Sequence, residues 1–513
     1  MFKTLLKMVY KNYCFVLLVF ALAIVQAVGY DTELNENVPC DSNVCFEGLH
    51  GALGDCSCNV DTIDYFNNVK IFPRLQSLVS KDYFRFYKVN LKKECPFWAD
   101  DSRCAIKYCH IKTCSKESVP GYSNEYENEI TEESPVSKYT KDAQTACSSD
   151  TDHDPALGYL NMTLSAASQY EIAKWKAYDD ALENFCECDD RDADAEYVDL
   201  SLNPERYTGY KGPSAHRIWR SIYQENCFRP KINPYDSFPY VLSSDLSNMC
   251  LEKRVFYRAI SGMHTSINIH LCSKYLLSER SMGFANPEGE WGPNLDEFQR
   301  RFDPSQTMGE SSNWLKNLYF VYLLEMRALA KAGPYLEREE YYTGDPIEDE
   351  ETRQAIQNML SVIYSFPDHF NESSMFNGGI QAAKLKHEFR EHFRNISRIM
   401  DCVGCDKCKL WGKLQTQGLG TALKILFSGT WDSPEGDPEK GTLPLRHKAN
   451  KRLQRTEIVA LFNAFARLSN SIRELENFRR TRSTSLNLFV WVFIIYAVVV
   501  IDWWVHIFAS HNS

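Results

Sequence analysis

Along most of the chain beyond about residue 165, apolar positions recur every three to four residues, the period of a helix that buries one side. The clearest case is NWLKNLYFVYLLEMRALAKAG (313–333), where Leu315, Leu318, Val321, Tyr322, Leu324 and Met326 crowd one wide stripe. Gly333 and Pro334 then read as its stop signal. Residues 351–366, 382–400, 409–427 and 455–478 carry the same period. Between them, 285–312, 337–350 and 430–450 are rich in Gly, Pro, Ser and Asp and read as connectors. Strand-like alternation is scarce. The pattern predicts a mainly α fold, a single large helical domain around a shared core.

The two ends depart from this pattern. Lys3, Lys7 and Lys11 precede an apolar run from Cys14 to Val25, and small residues follow. Residues 1–27 therefore read as a secretory signal peptide. At the other end, LNLFVWVFIIYAVVVIDWWVHIF (486–508) has an unbroken apolar stretch from Leu488 to Ile501, which Asp502 interrupts before WWVHIF resumes. About 20 apolar residues cross a bilayer. This hydrophobic helix is expected to associate with a membrane, either spanning it or lying in its interface. Between the ends, 28–115 is a cysteine-rich N-terminal region, 116–155 a mobile acidic loop, and 156–480 the helical core.

The formal net charge is −11, and no basic stripe runs through the body, which argues against nucleic acid as the partner. Of 18 cysteines, Cys14 falls within the leader. Most of the rest should be bridged in an oxidising lumen. The sequons at Asn161, Asn371 and Asn395 fit glycosylation in that compartment. Residues 30–60 read as a small stapled hairpin or loop holding Cys40, Cys45, Cys56 and Cys58.

DCVGCDKCKLWGK (401–413) spaces Cys402, Cys405 and Cys408 three positions apart. A zinc site prefers two separated ligand pairs, and here the cysteines form one cluster. A structural bridge between i and i+3 closes too small a ring to remove much chain entropy. Redox exchange suits the spacing best: one thiolate attacks and the other resolves. A helix N-terminus, with Lys407 and Lys409 nearby, would favour the thiolate. A second pair in CAIKYC, Cys104 and Cys109, adjoins the acidic loop and could accept electrons from a protein dithiol. Electrons arriving on sulfur must leave, which implies a flavin or metal. No G-x-G-x-x-G occurs, and GLGTALK (418–424) has the wrong glycine spacing, so a flavin would sit between helices.

NPERYTGYKGP (203–213), FYRAISGMHTSINIHL (256–271), LKNLYFVYL (315–323) and HFRNISRIMDCVGCDKCKLWGKLQTQGLGTALKILF (392–427) together resemble the endoplasmic reticulum oxidoreductin family. These are flavin thiol oxidases that reoxidise protein disulfide isomerase. The resemblance implies FAD held in a helix bundle, contacted by Arg206, Thr208, Trp219, Ser261, His264 and Arg301. It implies Cys405–Cys408 as the inner disulfide and Cys104–Cys109 as the outer, shuttle disulfide. Bridges are implied for Cys95–Cys402, Cys40–Cys58, Cys45–Cys56 and Cys227–Cys250. Cys104–Cys147 and Cys109–Cys114 match alternative pairings that switch some members off. The implied partners are the isomerase, molecular oxygen and the membrane of the endoplasmic reticulum.

There are departures from the family pattern. Trp314 stands where a basic residue usually contacts the flavin nucleotide. Cys188 and Cys272 have no counterpart and, with Cys186, have no assigned pairing. The competing expectation is a non-catalytic, membrane-anchored disulfide scaffold, and a second is a disulfide isomerase that does not use oxygen.

Overall fold

The computed structural model of the chain describes residues 60–97, 111–120, 192–205, 215, 218–219, 221–223, 230–231, 241–242, 251–277, 290–307, 310–366, 379–427 and 453–481. The leader, the 30–60 cysteines, Asn161, Asn371 and the 486–508 segment lie outside them. Among the described residues no helix is long and apolar enough to cross a membrane.

Helix dominates, as the apolar period predicts. α1 (Val60–Tyr65) runs through a π-helical stretch (Phe66–Ile71) into α2 (Phe72–Val79), and α3 (Asp82–Arg85) follows. The long helices are α4 (Leu251–Ser273), α6 (Ser311–Leu336), α7 (Pro346–Tyr364), α8 (Gly379–Met400), α9 (Asp406–Phe427) and α10 (455–481), with the short α5 (Leu295–Phe302) between the first two. Three antiparallel pairs join them: β1 (Phe86–Val89) with β2 (Glu196–Asp199), β3 (Pro230–Lys231) with β4 (Val241–Leu242), and β5 (Tyr275–Leu277) with β6 (Glu290–Gly292). Phe86 faces Asp199 and Val89 faces Glu196 in the first pair.

Two boundaries differ from the sequence pattern. α6 passes through Gly333 and Pro334 and ends at Leu336. Pro334 removes a backbone donor, but it sits in the last turn, and buried Leu336 gains apolar contact by staying helical. The connector 285–312 contains α5. Its start is capped by Asn294, whose side chain accepts from the Glu297 N–H, and Phe298, Arg301 and Phe302 face inward. A Gly- and Pro-rich neighbourhood hid a short helix whose cap was the readable signal.

α6 and α9 form the centre. α6 packs along α4 and also meets α7 and α9, while α9 also lies against α8. Both are buried around most of their circumference, so neither shows a clean polar face. Close approach at two crossings needs glycine. A Cβ at Gly262 would lie 2.3 Å from the Asn317 carbonyl of α6, and one at Gly418 would lie 2.4 Å from the Ala464 Cβ of α10. Several buried polar groups of α9 are partnered. Thr416 and Thr421 donate to the Gly412 and Gln417 carbonyls, and Tyr87 donates to Gln417. The Lys424 ammonium meets both carboxylate oxygens of Glu457 at 2.8 and 3.0 Å.

That last pair makes a stability test. Lys424→Met leaves a buried carboxylate without its cation and should lower the unfolding free energy by about 3–5 kcal/mol. Adding Glu457→Leu should recover most of the loss. Urea denaturation of the two variants measures it, and a Lys424→Met protein as stable as the parent would refute the pair's role.

Candidate functional site

α8 ends at Met400, and the chain turns through Asp401 and Cys402 on bonds from Cys402 N to Ile399 O (3.0 Å) and Val403 N to Met400 O (3.2 Å). α9 begins at Asp406. Cys405 therefore directly precedes the helix, and Cys408 lies in its first turn. The spacing of three sets them one turn apart on one side of the helix. Both are 0% exposed. The positive end of the α9 dipole favours an anion at this position.

Cys402, the third cysteine of the cluster, is bonded to Cys95 across a sequence separation of 307 residues. This is the pairing the family resemblance implies. In the chain-entropy picture such a long closure constrains the unfolded chain by roughly 5 kcal/mol. Lysines of α9 add to this join. Lys409 Nζ donates to the Leu91 and Lys93 carbonyls at 3.3 and 3.5 Å, and Lys413 Nζ to the Asn90 carbonyl at 3.2 Å. Lys413 also pairs with Asp401 at 2.6 Å. The sequence places Lys409 beside the cysteines, but in the structure its ammonium secures the strand-end segment that leads to Cys95.

A second cluster is built on α4 and its neighbours. Trp219 stacks on His264 with ring centroids 3.6 Å apart and planes 8° from parallel. Tyr223 OH and His264 Nδ1 are 3.1 Å apart. Ser261 Oγ accepts from Asn317 Nδ2 at 3.0 Å, and Arg258 Nε donates to Asn317 Oδ1 at 2.7 Å. Arg301 of α5 reaches in: its Nη1 donates to Asn268 Oδ1 at 2.5 Å and its Nε to Glu297 Oε1 at 2.6 Å. Trp219, Ser261, His264 and Arg301 are thus all buried at this part of the fold.

Electrostatics follows from that burial. Burial first, and then the nearby Arg301 charge, hold the His264 imidazole well below its usual range, so it is neutral. Burial pushes the Tyr223 and Tyr257 phenols up. Burial alone would raise Glu297, but the bonds to Arg300 and the Arg301 charge override it, and its carboxyl falls to about 2.

The donor set fits a flavin nucleotide: aromatic faces for a flat heterocycle, a hydroxyl at Ser261, and a buried guanidinium at Arg301 for a phosphate. Sequence reading missed Tyr223, Tyr257, Arg258, Asn268 and Asn317. A signal existed in α4, where Tyr257, Ser261, His264 and Asn268 follow helical spacing and so place polar groups along one face. Trp314, at the position that departs from the family pattern, is buried in the first turn of α6. Cys272 is buried near the end of α4. Asn395 is half-buried within α8.

Arg206, Thr208, Cys104, Cys109, Cys147, Cys186, Cys188, Cys227 and Cys250 lie outside the described residues. Cys114 is described and half-buried. Its Sγ lies 3.5 Å from the Tyr197 carbonyl, and burial pushes its thiol up, with Asp199 adding to the shift. Among the described residues, no group of three or more His, Cys, Asp or Glu is placed to hold a metal ion.

Comparison with known proteins adds a further finding. The family model described as Endoplasmic Reticulum Oxidoreductin 1 matches residues 70–475. The chain is 56% identical over 467 residues to the Ero1-like protein of Drosophila melanogaster, covering 88% of this chain and 93% of that protein. It is 50% identical over 449 residues to the human ERO1-like protein alpha, covering 85% and 91%. A solved structure of a double-cysteine mutant of S. cerevisiae Ero1p matches with a TM-score of 0.52 at 28% identity, covering 83% of this chain and 99% of that one.

A pH dependence follows from the buried imidazoles. His264 and His270 are both held well below the usual histidine range, in each case by burial first. The unfolded chain binds protons there below about pH 6.5 while the native chain does not. The stability these two neutral imidazoles contribute should be fully present above that pH and be lost as the pH is lowered, while the raised carboxyls of Glu205 and Glu325 act in the opposite direction. His264→Gln should flatten the slope by one proton's worth. Denaturant melts from pH 8 to 5 check this, and an unchanged slope would exclude a buried neutral His264.

Proposed function

The chain belongs to the endoplasmic reticulum oxidoreductin family and is an oxidoreductase of oxidative protein folding, and on that premise we propose that it is a flavin-dependent thiol oxidase for protein disulfide isomerase. One observation carries the reading: Cys405 and Cys408, one helical turn apart at the start of α9, are both 0% exposed. A protein dithiol cannot reach a sulfur that no solvent touches. An enclosed redox pair therefore needs a carrier, and Cys104–Cys109 is the candidate in the sequence.

Electrons then pass by two exchanges. A thiolate of reduced isomerase attacks the Cys104–Cys109 disulfide, and its second thiol resolves the mixed disulfide, leaving oxidised isomerase and a Cys104/Cys109 dithiol. That dithiol reduces the Cys405–Cys408 disulfide in the same way and is itself reoxidised. Burial around α9 keeps water and stray thiols from the inner pair, and the helix dipole stabilises the developing thiolate. When bound, FAD would supply the two-electron chemistry that links the inner dithiol to oxygen, giving hydrogen peroxide. Trp219, Ser261, His264 and Arg301, with Arg206 and Thr208 from the sequence, would hold it. Neutral His264, stacked on Trp219, would add a flat, uncharged surface to the site that holds it. The body is assigned to the lumen of the endoplasmic reticulum, with membrane association through 486–508.

The purified protein should be yellow, with flavin absorbance and dithiol-dependent oxygen uptake. Cys405→Ala and Cys408→Ala should each abolish oxygen uptake while retaining the flavin spectrum. Cys104→Ala should impair oxidation of the isomerase far more than that of a small dithiol. Colourless, folded protein ends the flavin reading. Undiminished turnover in Cys405→Ala ends the inner-pair assignment.

A further inference from the structure

The sequence between Phe97 and Ile111 carries Cys104 and Cys109, and the structure describes what holds the chain on either side of it. On the first side the hold is covalent and broad: the Cys95–Cys402 disulfide, with Lys409 and Lys413 gripping the Asn90, Leu91 and Lys93 carbonyls. All three anchors belong to α9 or to the turn that leads into it.

On the second side, residues 111–115 lie along β2. Thr113 bridges to Val198, and Cys114 N donates to the Tyr197 carbonyl at 3.4 Å. Ile111 packs against the apolar core, and a side-chain clamp adds to this attachment. Asn203 Oδ1 accepts the Lys112 N–H at 2.8 Å, while its Nδ2 donates to the Lys112 carbonyl at 2.7 Å and to the Asp199 carbonyl at 2.8 Å. The Asn203 carbonyl in turn accepts the Trp411 indole N–H at 2.9 Å. Trp411 lies three residues after Cys408, on α9.

We propose that Asn203 is a positioning residue that ties the second end of the shuttle segment to α9, so that both ends of the chain bearing Cys104 and Cys109 are fixed to the helix that carries Cys408. The proposal rests on the thiol-oxidase reading above.

The chemistry of the amide explains why this residue suits the task. A primary amide offers one acceptor and two donors, and Asn203 uses all of them while 0% exposed. Its two-bond exchange with Lys112 copies the paired bonds of an antiparallel ladder. It therefore docks a strand-like segment at a point where no main chain is available to do so. Lys112 and Thr113 are exposed. Without the amide, their backbone groups can turn to water, and only the Thr113 and Cys114 backbone bonds and the partly buried Ile111 hold the segment. The first side, held by a disulfide, cannot leave in this way.

A segment tethered at both ends explores less volume than one tethered once. The local concentration of the shuttle sulfurs at the inner pair depends on both tethers, and loss of one should dilute it by about tenfold. The exchange chemistry is unchanged; only the frequency of encounter falls.

Cys114 reports docking directly, since its sulfur is half-buried against Tyr197. The test uses the full-length holoprotein, with iodoacetamide labelling of Cys114 under native conditions read by mass mapping. In Asn203→Ala, labelling should be about tenfold faster, with flavin absorbance and the KM for the isomerase unchanged and kcat about tenfold lower. Trp411→Phe removes the indole N–H, with some ring volume, while leaving the Asn203 amide in place, and should lower kcat in the same direction by less. Unchanged labelling in Asn203→Ala overturns the proposal, as does faster labelling with undiminished kcat. If Asn203→Ala does not fold, Trp411→Phe decides, and an unchanged kcat there overturns it. A parent protein that takes up no oxygen would instead sink the thiol-oxidase reading, and the labelling contrast would still decide the anchoring.

Discussion

Complete enclosure of two cysteine sulfurs is the constraint on which this structure turns. Cys405 and Cys408 sit at the start of a helix that is buried around most of its length from Cys408 to Leu426. Enclosure keeps water and outside thiols from these sulfurs, and since a low dielectric disfavours a thiolate, the positive end of the α9 dipole is what would offset that cost. It also cuts that chemistry off from any protein substrate. The surrounding architecture answers both needs. α6, α8 and α10 close round α9, and the segments on either side of Cys104 and Cys109 are both tied back to it.

Placing so many polar side chains inside such a core has a consequence. Each must be partnered or neutral, because burial of a lone charge costs several kcal/mol. Lys424 meets Glu457, Lys413 meets Asp401, and Arg467 meets Glu205 at 2.7 Å. Glu325 takes the other route, with burial raising its carboxyl far above the usual range so that it stays protonated. These groups knit helices distant in sequence into one register. Asp64, Tyr319 and Arg479 do so across three elements, with Tyr319 OH 2.6 Å and Arg479 Nη1 2.9 Å from the two Asp64 oxygens.

Segment 199–205 shows how compactly such ties are arranged. Asp199 pairs with Arg85, Asn203 holds Lys112 and Trp411, and Glu205 pairs with Arg467. Burial pushes Glu205 up to about 7 despite its cation. The next residue is Arg206, where the resemblance implies the first cofactor contact. A few residues thus connect the shuttle side, the inner-cysteine helix and the expected flavin loop.

The sequence by itself determined the class of fold and the chemistry to look for. Period-3.6 apolar runs marked α6 to α10, because a helix buried on one side must repeat its apolar residues at that interval. The C-x-x-C-x-x-C spacing pointed to thiol exchange as the chemistry to look for, because one thiolate can attack and its neighbour resolve. Only the tertiary structure decided which polar residues face one another. That Lys409 turns to the Leu91 carbonyl, that α6 continues past Pro334, and that Asn203 bridges Lys112 and Trp411 depend on contacts between residues tens or hundreds of positions apart. Such contacts leave no local period, since a side chain's partner across a helix crossing is set by packing and not by its neighbours in the chain.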